Sequence, residues 1–170
     1  GMEPEFLEGD WRVVAEPCRI EARLREDKAH EIKAVCVVHN ETSTGAVSPI
    51  ADVRKAIDAA GHPALLMVDT ISGLASLDFR FGEWGVDVCV SGSQKGLMLP
   101  PGLSFNAVSA RALAQSKAVQ TPRSYWDWQD MVGPNDTGYF PYTPATNLLY
   151  GLNEAIAMLH EEGLANVFAR

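Results

Sequence analysis

Lys95 lies in the run Ser91-Gly92-Ser93-Gln94-Lys95-Gly96, and Asp69 closes the apolar stretch Ala64-Leu65-Leu66-Met67-Val68. A lysine in a turn of small residues, with an acid at the end of an earlier buried strand, is the pair that pyridoxal phosphate chemistry needs. The amine can form a Schiff base with the cofactor aldehyde, and the carboxylate can keep the pyridine nitrogen protonated so that the ring accepts electrons. A third polar segment, His39-Asn40-Glu41-Thr42-Ser43-Thr44-Gly45, directly follows the apolar run Ala34–Val38. In open α/β sheets, ligands bind at the carboxyl ends of parallel strands. Hydroxyls, a carboxylate and an amine at three successive strand ends would therefore face one crevice. Each has a plainer alternative: a polar turn at Thr42–Thr44, a structural role for His39, a loop-capping Asp69, a solvated Lys95. Their coincidence is what argues for a site.

The elements that must position these residues alternate along the chain. Ala34–Val38 reads as a strand buried on both faces. Ser48 offers an N-cap and Pro49 a first helical residue, with Ile50, Val53, Ile57 and Ala60 on one face and Gly61 as the stop. Ala64–Val68 and Val86–Val90 read as further strands, and Leu103–Val108 as another before a helix beginning near Ser109. This order predicts an α/β fold with a mostly parallel sheet and helices on both faces. Gln120–Tyr142, which holds Trp126, Trp128, Tyr125, Tyr139, Phe140 and Tyr142, reads as a long irregular aromatic segment of the kind that is functional when ordered. Thr143 then reads as a helix cap with Pro144 at the helix start, and Gly163 as the end of that helix. At the amino end, Asp10-Trp11 is strand-like, and Ile20 and Leu24 share a short helix.

Composition narrows the class. The chain has 170 residues, 46% of them apolar, enough for one real core. A net charge of −8 without a basic stripe argues against nucleic acid or an anionic membrane as partner. No apolar run approaches the roughly 20 residues of a membrane helix. Cys18, Cys36 and Cys89 are widely spaced and read as reduced core thiols. His30, His39, His62 and His160 form no metal-ligand spacing.

Five segments carry a family resemblance: Val38–Gly45, Met67–Ser72, Val90–Gly96 with Pro100-Pro101-Gly102, Thr121–Trp128, and Tyr139–Tyr150. In these the chain, from Val13 to Arg170, resembles the fold-type I, class V pyridoxal phosphate aminotransferases, and within them the serine–glyoxylate group. The resemblance implies the large domain of an aspartate-aminotransferase-like fold, incomplete at both ends. Gly1-Met2 would be an artificial start, and the chain would lack an amino-terminal segment and a carboxyl-terminal small domain. It implies that Lys95 holds pyridoxal 5'-phosphate and moves the proton, that Asp69 pairs with the pyridinium nitrogen, and that Thr42 bonds near the phenolic oxygen. Gln94 would reach the phosphate. Tyr142 and Thr143 would cross to a neighbouring subunit's phosphate, with the aromatic position open between Phe140 and Tyr142. The implied reaction passes the amino group of L-serine to glyoxylate, giving hydroxypyruvate and glycine, in a cytoplasmic homodimer or higher homo-oligomer acting on small amino and 2-oxo acids. Little activity is expected of these 170 residues alone. The rival readings are another class V enzyme (alanine–glyoxylate, or a cysteine desulfurase-like protein) and a non-catalytic remnant that only oligomerises.

Overall fold

The computed structural model describes residues 2–170. Four strands, β1 (Ala34–Val38), β2 (Leu65–Asp69), β3 (Val88–Gly92) and β4 (Ser104–Val108), form one sheet in the order β1-β2-β3-β4. The first three are parallel and β4 is antiparallel to β3. The reversal follows from chain length. A parallel crossover needs a dozen or more residues, usually a helix, and the loop from Ser93 to Leu103 has no helix to make one.

Helix α1 (Pro17–Glu26) precedes the sheet, and α2 (Ile50–Ala59) connects β1 to β2. Ile20 and Leu24 of α1 and Ile50, Val53 and Ile57 of α2 pack with Val37, Leu66, Val68 and Cys89 in the main core. The 3.6-residue spacing seen in the sequence is thus the face that buries. Its fully enclosed aliphatic side chains, Ile50, Val53 and Ile57, each contribute about 1.5–3 kcal/mol by leaving water. After β4 come α3 (Ala110–Ala118), α4 (Trp128–Asp136), α5 (Thr146–Glu162) and α6 (Leu164–Phe168). Leu97, Leu99, Ala155 and Leu159 form a second core between the β3–β4 loop and α5.

Asp87, just before β3, ties these layers together. Its carboxylate accepts from Leu66 N (2.8 Å), Ser109 Oγ (3.1 Å) and Arg111 Nε (2.9 Å). Burial pushes this carboxyl up, but the Arg111 guanidinium and the Leu66 N–H more than reverse that and leave it below the usual carboxylate range.

Several expectations need correction. Only Val37 of β1 is buried; Cys36 and Val38 are exposed, because β1 is an edge strand covered on one face only. Cys36 and Cys18 are accordingly not core thiols, while Cys89 is. Asp10-Trp11 forms no strand. Helix α2 begins one residue late, with Pro49 as N-cap and no side-chain cap; the Ser48 hydroxyl instead accepts from Ala15 N at 3.4 Å. The aromatic segment contains α4, capped by Asp127 Oδ1, which accepts from Gln129 N at 3.0 Å. Pro134 falls in its last turn, where it can donate no i→i−4 bond, and the helix ends two residues later at Asp136. Thr143 does not cap α5, whose N-cap is Ala145 without a side-chain bond. Ser109 does cap α3, accepting from Ala112 N at 3.1 Å. Gly163 ends α5 with φ at 82°.

Candidate active site

Three loops leave the carboxyl ends of β1, β2 and β3, and the middle one touches each of the other two. The first, His39–Val47, is closed by the bridge between Asn40 and Val47 and by Glu41 N donating to Ala46 O at 2.9 Å. Thr42 stands exposed at its tip. Its Oγ1 lies 2.5 Å from Ser72 Oγ, a hydrogen bond to the second loop. His39 N also donates to Asp69 O at 2.9 Å.

Asp69 is the last residue of β2, in register with Val38 of β1 and Val90 of β3. Partners in a parallel ladder share a face, so its carboxylate stands on the sheet face that carries the exposed Val38 side chain. Its Oδ1 accepts from Ile71 N at 2.9 Å, an Asx-type turn that fixes the side chain. Among the described residues, no basic side chain pairs with Asp69, which is half-buried. Behind it Thr70 is fully buried, with N and Oγ1 both donating to Val90 O at 2.9 Å.

The third loop is built on Ser93. Its hydroxyl donates to Pro100 O (2.7 Å) and accepts from Leu103 N (3.2 Å), while its amide donates to Leu103 O (3.1 Å). Ser93 is 0% exposed. Lys95 projects from this frame, exposed, with its carbonyl accepting from Met98 N at 2.9 Å. Met98 has φ at 58°, and Ala75 on the facing loop has φ at 63°. Non-glycine residues in this region are strained, and such strain gathers at functional sites. Gly96 shows how near the two loops come: a Cβ there would overlap the Leu74 carbonyl and sit 2.6 Å from Ser76 Oγ. Gly73 does the same for the first two loops, since a Cβ on it would lie 2.6 Å from His39 Nδ1.

The structure therefore packs the loop after Asp69 against both the Thr42 loop and the Lys95 loop. Lys95 also lines an open cleft of about 700 Å³ with Ala75, Met98, Met158 and Glu162; Asp69 is not in its wall. Gln94 is exposed, its Oε1 folded toward Gly92. Tyr142 and Thr143 are exposed, and among the described residues neither hydrogen-bonds to the strand-end loops. Tyr142 packs on Tyr125 with ring centroids 4.9 Å apart. His39 is buried against Phe79 and Trp84, as a structural histidine should be, yet its Nδ1 has no partner. Burial holds its pKa below the usual value, against the opposing pull of Asp78, and keeps the ring neutral. Sequence reasoning missed Ser72 and Ser93. The repeated small residues of Ser91-Gly92-Ser93 were the signal for the latter.

A carboxylate at the end of one parallel strand of an open α/β sheet, and an amine on the loop after the adjacent strand, are the groups a pyridoxal phosphate transferase would use. The family model described as aminotransferase class-V matches residues 12–170, and the chain belongs to that family. It is 55% identical, over its whole length, to a serine–glyoxylate aminotransferase of Methylorubrum extorquens, and covers 44% of that protein. It is 48% identical over its whole length to an L-aspartate–glyoxylate aminotransferase of Paracoccus denitrificans, covering 43% of it. Among solved structures, an alanine–glyoxylate aminotransferase from Nostoc sp. superposes with a TM-score of 0.83 at 32% identity, over 95% of this chain and 42% of that one. The chain thus spans less than half the length of the curated relatives it matches.

The family implies pyridoxal phosphate as cofactor. The donor set fits that group. Lys95 forms no ion pair or hydrogen bond through its amine among the described residues, so it is free for an aldehyde. Asp69 is an unpaired carboxylate, oriented by one backbone N–H, which suits a protonated ring nitrogen.

Proposed function

We propose that this chain carries the cofactor-holding part of an aminotransferase that moves the amino group of L-serine to glyoxylate. Pyridoxal phosphate, when bound, supplies an electron-withdrawing ring conjugated to the α-carbon of the substrate. Lys95 anchors it and, once displaced, serves as the base that carries the α-proton. Its amine makes no hydrogen bond or ion pair among the described residues and lines the cleft beside Met98 and Met158, where a substrate can reach it. Asp69 holds the ring nitrogen protonated, its aim set by the Ile71 amide. Thr42 donates toward the phenolic oxygen, and Gln94 reaches the phosphate. Tyr142 and Thr143, exposed at the end of the aromatic segment, serve the phosphate of a neighbouring copy in a homodimer.

The observation that carries this reading is the packing of the Lys95 turn, through Gly96, on the chain just beyond Asp69, at the ends of two hydrogen-bonded parallel strands. The choice of serine rests on the 55% identity to the Methylorubrum enzyme; the Paracoccus relative, at 48%, makes L-aspartate the second donor to assay.

The test begins with cofactor, not turnover. The purified chain is mixed with pyridoxal phosphate, reduced with borohydride and mapped by mass spectrometry. The expected result is one adduct, on Lys95. Lys95→Ala should lose it with an unchanged melting temperature, since an exposed side chain contributes little to the core. An adduct spread over other lysines, or none at all, overturns the reading.

A further inference from the structure

We propose that Ser72 is a positioning residue that aims the Thr42 hydroxyl at a bound acceptor oxygen. The inference rests on the cofactor reading above and deepens it. A hydroxyl has one proton to give and can accept two. Near these loops, most hydroxyl protons are committed. Ser43 Oγ donates to Glu41 Oε1 at 2.6 Å, Thr44 Oγ1 to Trp11 O at 3.1 Å, and Thr70 Oγ1 to Val90 O at 2.9 Å. Thr42 and Ser72 differ. They bond to each other at 2.5 Å, and among the described residues no carbonyl or carboxylate accepts from either. Two protons serve one bond, so one proton is left over.

Which hydroxyl keeps it decides the function of the pair. Ser72 is the half-buried member, on a loop that Gly73 presses against the His39 ring; Thr42 is the exposed member at a loop tip. With Ser72 donating to Thr42 Oγ1, the free proton sits on the exposed oxygen. Donation in sequence also polarises the outer hydroxyl and strengthens its bond to an anionic acceptor. Thr42 would then stabilise negative charge on the cofactor's phenolic oxygen and so hold down the pH at which the loaded chain titrates.

The experiment compares the unsubstituted chain, Ser72→Ala and Ser72→Thr, each loaded with pyridoxal phosphate, by titrating the visible absorption against pH. Ser72→Ala should raise the midpoint by about half to one pH unit, the size of one ordinary hydrogen bond. Ser72→Thr, which keeps the hydroxyl, should restore it. Borohydride mapping should still find Lys95 modified in all three. An unchanged midpoint in Ser72→Ala, with the Lys95 adduct present, overturns the role of Ser72 and leaves the cofactor reading standing. Absence of the Lys95 adduct in the unsubstituted chain overturns both. Should Ser72→Ala not fold, Ser72→Cys replaces it, being of similar size and a poor donor.

Discussion

Ser93 shows what a single side chain can impose on a reactive neighbour. It makes no contribution to the chemistry proposed for Lys95, yet its hydroxyl and amide tie both ends of the loop that presents the lysine. Replacing it by alanine leaves Pro100 O and Leu103 N without their buried partner. The expected loss is about 1–3 kcal/mol in urea unfolding, with faster amide exchange at Leu103. A loss within error would show that the loop has other support. The proposed pair, Lys95 and Asp69, stands out in the sequence because its chemistry restricts residue type: only lysine supplies the amine, and a carboxylate at a strand end is a recognisable position. Ser72 and Ser93 do not, since a serine that hydrogen-bonds across loops looks like any polar loop residue until the loops are folded together.

Whole elements were legible where they bury a periodic face. β1 falls at its expected limits, α2 places Ile50, Val53 and Ile57 in the core, and the remaining strands lie within two residues of expectation. The misreadings lie where local composition and tertiary context disagree. Gln120–Tyr142 reads as irregular, yet α4 runs within it, through Gly133-Pro134, from an Asp127 cap. Thr143-Pro144 reads as a helix start, but the residue before a proline favours extended backbone, and α5 opens later, at Thr146. The joint between α1 and β1 makes a prediction of its own. Asp27 accepts from Ile32 N (2.7 Å), Glu31 N (3.1 Å) and His62 Nε2 (3.2 Å), while His62 Nδ1 accepts from Ala64 N (3.1 Å). The Ile32 amide leads in lowering the Asp27 carboxyl to about 2; burial opposes it, and the Glu31 amide and His62 add to the lowering. A depressed folded value means stability that is present above the unfolded value of 3.8 and is lost as pH falls toward about 2. Asp27→Asn should flatten that acid limb in thermal melts between pH 4 and about 2 relative to the unsubstituted chain. An identical slope would remove Asp27 from the account.

At the scale of the molecule, the fold class and family were legible from the order of elements and the strand-end motifs together. Neither signal shows how the chain meets what lies beyond it. The sheet is finished on one side by α1 and α2, which cover Val37, Leu66 and Val68. The outer margin of β1 is different. Ala34–Val38 is apolar throughout, with neither charge nor proline, and only Lys33 stands at its threshold. Soluble proteins usually blunt such a border with the features this one lacks. Among the described residues its outer amides and carbonyls pair with no strand, and such a row is an invitation that any extended peptide can accept. Concentrated solutions should therefore scatter more light with time, and Val38→Lys, at an exposed position of β1, should suppress it; scattering indifferent to that change would place the stickiness elsewhere. An open border of this kind is patient: it pairs with whatever backbone arrives first.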